Sequence, residues 1–240
     1  MKARDELRLS GARIDGADYS GRRLAFVTVA NGSRLTGCDF RGVHATDGCL
    51  GAGLRPSVYT GCVFDGATLR GPGLDPGRAT FISCSFREAS LIRLSFLDAE
   101  FVDCVFSGRI EGVTFSAEPW ARDAELGRTV NRYEGNDFSA ARMTDVDFRG
   151  GVDLDRQRLP QGHLVLRDAA ARLDAAAREI AAWADPADRD EAESTLETLR
   201  FDVDGGQRDL FTDREFLVQG LSPGAAARLL AVLEDRAPGS

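Results

Sequence analysis

A chain of 240 residues, 43% hydrophobic and with a net charge of −8, is long enough for one elongated domain plus a smaller one, or for one mid-sized globular domain. No run approaches the ~20 apolar residues that cross a bilayer, and no apolar segment follows Met1 to Glu6. A soluble, cytoplasmic protein with no membrane partner is therefore expected, its five cysteines reduced.

The charge is unevenly placed. Residues 1–160 carry 21 Lys+Arg against 22 Asp+Glu, a net of −1, whereas residues 161–240 carry 9 against 16, a net of −7. Within the first part, residues 1–87 are net +4 and residues 88–160 net −5. Fourteen Phe against two Trp, with 26 Gly, suggest one side chain reused in one kind of slot, so repeats come first.

From the N-terminus a small residue is followed two places on by a large apolar one, every five residues. Ala12 and Ile14, Ala17 and Tyr19, Arg22 and Leu24, and Val27 and Val29 begin the series. Ser33 and Leu35, Cys38 and Phe40, Cys62 and Phe64, and Ala67 and Leu69 continue it. The run from Ala79 and Phe81 to Cys104 and Phe106 is unbroken, and the pattern resumes from Asn131 and Tyr133 to Val146 and Phe148. A period of five fits neither the helical 3.6 nor the strand 2.0. It predicts a backbone that turns a corner every five residues, so residues 20 apart stack at the strand spacing of ~4.8 Å.

The pattern resembles the bacterial pentapeptide-repeat family over roughly residues 10–155. That resemblance implies a mainly β fold, a right-handed quadrilateral parallel β-helix, over residues 1–160; residues 161–240 are expected to be α-helical by the spacing of their own apolar residues. Arg22 and Leu94 depart from the small slot, and the phase breaks near 30–34, 43–56, 75–78 and 109–131.

Cys38, Cys62, Cys84 and Cys104 each precede a Phe by two and are expected to form one inward column. Cys84 and Cys104 are 20 apart; two residues inserted at Asp75-Pro76-Gly77-Arg78 would bring Cys62 into line, and a looped-out 48–56 would bring in Cys38. A metal or redox ladder would need CxxC spacing or nearby His, and His44 and His163 lie elsewhere. The cysteines are expected to be packing, with no metal and no cofactor.

Residues 117–130 leave the period as a loop or short helix carrying Trp120 behind Pro119. Either Trp120 folds back over the coil wall, the favoured placement because exposed Trp is uncommon, or it stands out as a binding anchor. Beyond residue 164, Leu166, Ala169, Leu173, Ala177, Ile180 and Ala184 follow helical spacing, closed at Asp185-Pro186. A second helix is predicted over 191–200, a short segment near 212–218, and a last helix opened by Ser222-Pro223. These stripes predict a small bundle that caps the coil or mediates association.

Ile82, Ile92, Leu97 and Val102 each follow a central residue by one and are expected to face outward as an apolar cluster. Its expected occupants are the C-terminal helices, a second copy in a homodimer, or a foreign protein. Asp18, Asp39, Glu100, Asp137 and Asp147 are read as solvated wall residues, and Gly48 to Gly53 as a corner loop without the Lys of a phosphate loop.

No catalytic constellation is present, so no enzyme is expected. The function expected is a non-enzymatic interaction scaffold whose protein partner the sequence does not name. The family resemblance implies an alternative, a DNA mimic that binds a type II topoisomerase (gyrase) and protects it from inhibitors. A rod of net −1 argues against mimicry. Direct nucleic-acid binding through Arg8, Arg13, Arg22, Arg23, Arg34 and Arg41 is not expected, since the period spreads them over different walls.

Overall fold

Phe81 has Tyr59 as its Cα partner on one side and Phe101 on the other, both in parallel register, so one inward ring follows another up the molecule. The computed structural model describes residues 5–120 and 128–234. It is a parallel β-solenoid of about seven turns with a few C-terminal helices. The chain divides into two compact units, Met1–Val146 with Val152–Gln161, and Asp147–Gly151 with Gly162–Ser240.

Among the described residues of the first unit the strands pair in parallel. Offsets between partners are 20 at Thr80 and Glu100, and 22 at Thr68 and Ser90. The difference places two extra residues between those strands, in the stretch that holds Asp75 to Arg78. The inward rings form two long ladders, beside a shorter stack of Phe96 on Phe115 at 5.2 Å. Tyr19, Phe40, Phe64, Phe86, Phe106 and Phe138 stack with centroids 4.9, 4.7, 4.8, 5.0 and 4.4 Å apart. Tyr59, Phe81 and Phe101 stack at 4.8 Å each, and the two ladders meet edge to face, as in Phe81 against Phe86 at 75°. Such pairs add ~0.5–1.5 kcal/mol each beyond the apolar area they bury.

Between the central residues the chain must turn, and the turning residue is left-handed. Gly37, Gly61, Ser83, Asp103 and Gly135 occupy successive turns of one corner, all at positive φ, each amide donating to the carbonyl of the next turn. Gly, or a short polar residue, adopts this backbone at the lowest cost, and all five residues of this corner are of that kind.

One segment expected to loop out, and one expected to break the phase, stay in the coil. Gly48–Ala52 is a strand, paired in parallel with Arg23–Ala30 and Leu74–Asp75, so only the residues from Gly53 to Pro56 bulge. The reason is a close backbone approach: a Cβ on Gly48 would lie 1.8 Å from the Val27 carbonyl oxygen. The period also survives past Phe106. Val105–Ser116 is one strand of 12 residues, with Ile110 paired to Leu91 and Phe115 to Phe96. The phase shifts by one residue at Gly108, whose backbone passes too near Ala89 for any side chain.

In the second unit an antiparallel strand pair, Leu164–Leu166 against Leu210–Thr212, unforeseen from the helical spacing, joins four helices. These are α1 (Ala169–Ile180), α2 (Pro186–Asp204), α3 (Arg214–Val218) and α4 (Pro223–Glu234). Their inward faces bury Leu173, Ile180, Leu196, Leu199, Leu229 and Leu233 around Trp183. Asp185 opens α2 rather than closing α1: its carboxylate accepts the Ala187 amide at 2.9 Å, and Pro186 takes the first turn, where no amide is needed. No helix is long and apolar enough to cross a membrane among the described residues.

Candidate interaction site

The chain departs from the coil after Ala117 and returns at Asn131, and both ends are tied. The Asn131 amide donates to the Ala117 carbonyl at 2.8 Å, closing the neck. Its side-chain Nδ2 donates to the carbonyls of Leu97 (2.7 Å) and Ser116 (2.9 Å), and Ser116 Oγ donates to the Glu118 carbonyl at 2.8 Å. Residues 121–127 of the expected excursion lie outside the described residues.

Below the returning limb sits an ionic cluster centred on Glu100. Arg128 Nη1 donates to Glu100 Oε2 at 3.0 Å and its Nε donates to Asn131 Oδ1 at 3.0 Å. Arg132 donates to Glu100 Oε1 from both its amide and Nε at 3.1 Å, and Thr80 Oγ1 donates to Oε2 at 3.0 Å. Burial alone would raise the Glu100 carboxyl, but the Arg132 hydrogen bond and the Arg128 charge outweigh it and hold the group below its ordinary range. Glu100 is thus not the solvated wall residue its outward slot implies. The spacing carries no signal for this, because Arg128 arrives from 28 residues later across an aperiodic segment.

On this pinned base stands Trp120, 78% exposed, with its amide 3.4 Å from the Leu97 carbonyl. It does not fold back over the wall. Val130, on the returning limb, is 56% exposed. An excursion tied at both ends holds these two apolar side chains in water.

The outward apolar cluster is smaller than its spacing suggests. Ile82 and Val102 are Cα partners, but their ladder runs on to Thr60 and Glu134. Ile92 pairs with Arg70 and Glu111 on another ladder, and all four residues, Leu97 included, are half-buried. Successive repeats face successive sides of the coil, so only partners one full turn apart can share a patch.

The remaining outward carboxylates build corners. Asp18, Asp39 and Asp137 each accept the amide two residues on, from Ser20 (2.8 Å), Arg41 (2.9 Å) and Ser139 (2.9 Å). Asp147, in the second unit, pairs with Arg149 at 2.9 Å. Five of the six N-terminal arginines sort into two groups, and Arg23 is the Cα partner of His44. Arg8, Arg22 and Arg41 are neutralised by Glu6, Asp5 and Asp39, whereas Arg13 and Arg34 are direct Cα partners rather than residues of different walls.

Cys38, Cys62, Cys84 and Cys104 form the expected buried column, linked by amide-to-carbonyl bonds one residue along the strand. The thiols of Cys62, Cys84 and Cys104 donate to the carbonyls of Leu35 (3.5 Å), Tyr59 (3.4 Å) and Phe81 (3.5 Å) in the preceding turn. The hydrogen bond with Cys104, together with burial, pushes the Cys84 thiol up to about 12 against an opposing bond with Cys62. All four cysteines are buried in the coil.

No family model and no curated protein matches the chain. Among solved structures it is similar to a trypsin-treated QnrB1, a plasmid-mediated fluoroquinolone resistance protein, at 16% identity over 65% of this chain and 79% of that one, with a TM-score of 0.28. It is similar to HetL, a pentapeptide repeat protein involved in heterocyst differentiation regulation from the cyanobacterium Nostoc sp. strain PCC 7120, at 14% identity over 61% and 66%, with a TM-score of 0.26. It is similar also to Rfr23, a pentapeptide repeat protein from the cyanobacterium Cyanothece 51142, at 8% identity over 64% and 90%, with a TM-score of 0.18. Likeness at this level carries no argument about function, and the fold rests on the chain's own register. By that register the chain is a parallel β-solenoid built on pentapeptide repeats, and its solved neighbours are pentapeptide-repeat proteins.

Proposed function

We propose that the protein is a non-enzymatic interaction scaffold in which the solenoid holds the Trp120 excursion out to a protein partner. The observation that carries this reading is a Trp left 78% exposed on a segment whose neck and base are tied by hydrogen bonds. An exposed Trp on a preordered base binds with little further loss of conformational freedom, and Trp is among the residues that dominate binding energy. Ile82 and Val102 offer a second, smaller patch for a protein partner or a second copy.

A photo-crosslinking residue at position 120, activated in cells, tests it. A discrete adduct at 120 that is absent when the same residue stands at Arg142 supports the reading. Identical adduct patterns at both positions would falsify it. The topoisomerase alternative is checked by gyrase supercoiling with and without a quinolone. No inhibition and no protection at about micromolar protein is the outcome expected for a coil of net −1.

A further inference from the structure

On the outward ladder that precedes the inward Ile14, Leu35 and Tyr59, two arginines lie on adjoining turns. Arg13 is the Cα partner of Arg34, and the next position is Val58. Like charges directly opposite on paired strands, ~4.8 Å apart, repel each other. Elsewhere in these first turns the chain relieves such charge with a carboxylate, as at Arg8, Arg22 and Arg41. Among the described residues no carboxylate lies within ion-pair distance of Arg13, Arg34 or Arg55. Asp15 shares their outward face, on the far side of Ile14, with Thr36 as its Cα partner.

Arg55 comes from the Gly53 to Pro56 bulge, and the bulge is fixed. The Gly32 amide donates to the Arg55 carbonyl at 3.0 Å, and Arg78 Nη1 donates to the Leu54 carbonyl at 3.1 Å. The Arg55 side chain runs over Gly32, where a Cβ would sit 3.2 Å from its own Cβ. Asn31, left-handed at φ 55°, is held by its Nδ2 donating to Ser10 Oγ at 2.8 Å. Arg13, Arg34 and Arg55, with Gly11, Asn31 and Pro56, thereby line a cavity of about 400 Å³.

We propose that this cavity binds a phosphate oxyanion carried by a small molecule. Three guanidinium groups supply the forked donors that fit phosphate oxygens, and a bound dianion removes the repulsion between Arg13 and Arg34. The volume falls at the lower end of small-ligand sites. A polymer is a poorer match: beyond Arg34 the ladder passes to Val58, Thr80 and Glu100, and Arg8, Arg22 and Arg41 already hold carboxylates. Among the described residues no aromatic ring lines the cavity to stack a base, so the anionic group is the recognised part.

The probe is inorganic pyrophosphate, titrated into the full chain at constant ionic strength while the melting temperature is followed. A saturable rise is expected, with none from acetate or chloride. Arg34→Gln and Arg55→Gln should each weaken the apparent affinity by about tenfold or more, and Arg142→Gln, an exposed arginine on a later strand, should leave it unchanged. Circular dichroism shows that each variant is folded. The proposal is overturned by the absence of a saturable shift up to about 10 mM, or by the same shift in Arg34→Gln. It is overturned equally if a duplex of about 20 base pairs binds more than tenfold tighter than pyrophosphate with a steep salt dependence, which would make the site a polymer contact.

Discussion

Asn136 takes the rung after Cys104 in the inward column: its Oδ1 accepts the Cys104 amide at 3.0 Å, and its Nδ2 donates to the Phe101 carbonyl at 2.9 Å. The same Nδ2 donates to Gln157 Oε1 at 3.0 Å, and Gln157 Nε2 donates to the Tyr133 carbonyl at 2.7 Å. A column of thiols thus ends in a pair of amides that satisfy backbone groups across the turn the excursion interrupts. Asn136→Ala leaves the Cys104 amide buried without this partner. A loss of about 1–3 kcal/mol is expected in urea unfolding; a change under about half a kcal/mol would show that the amide is dispensable.

The ring ladders place Phe101 against Phe81 at 4.8 Å and against Phe106 and Phe115 edge to face. Its removal opens a void lined by rings that the strand spacing prevents from closing in. Phe101→Ala is expected to cost about 3–5 kcal/mol, with Phe101→Leu costing clearly less. Equal losses in the two variants would mean that volume is not what the ladder contributes.

Glu100 links stability to pH. Its carboxyl lies below the ordinary 4.5, so its folded-state stabilisation is present above that value and is lost as pH falls through the lower folded-state value. Glu100→Gln leaves Arg128 and Arg132 without their carboxylate and is expected to cost about 3 kcal/mol at neutral pH. That deficit should shrink progressively below about pH 4.5. Parallel denaturation curves of the wild type and variant down to acid pH provide the check, and a deficit independent of pH would assign the cost to packing.

Thiol accessibility separates the column from the fifth cysteine. Cys38, Cys62, Cys84 and Cys104 are buried, whereas Cys49 is partly exposed with its thiol raised by burial. In native protein a chromogenic disulfide should react slowly with Cys49 alone, and in denaturant with all five cysteines. Rapid reaction of Cys62 or Cys84 without unfolding would contradict a packed column.

The inward slots were legible in the primary structure because the five-residue period acts directly on burial. Phe64, Phe81, Phe86 and Cys84 are buried where the spacing places them. The α2 face of Ala192, Leu196 and Leu199 was legible for the same reason at helical spacing. Ile92 was not, because outwardness says nothing about neighbours; its ladder partners Arg70 and Glu111 depend on insertions elsewhere in the turn.

Local periodicity, then, was sufficient to determine the solenoid, its buried cysteine column and the helical character of the C-terminal part, since each depends on residues a few positions apart. The tertiary structure alone decided that Glu100 is buried between Arg128 and Arg132, that Trp120 stands in water, and that Arg13, Arg34 and Arg55 meet around one cavity. Those groups are separated by roughly a turn or more of chain. Which of them meet depends on the lengths of the aperiodic bulges between them, and a repeat period does not encode those lengths.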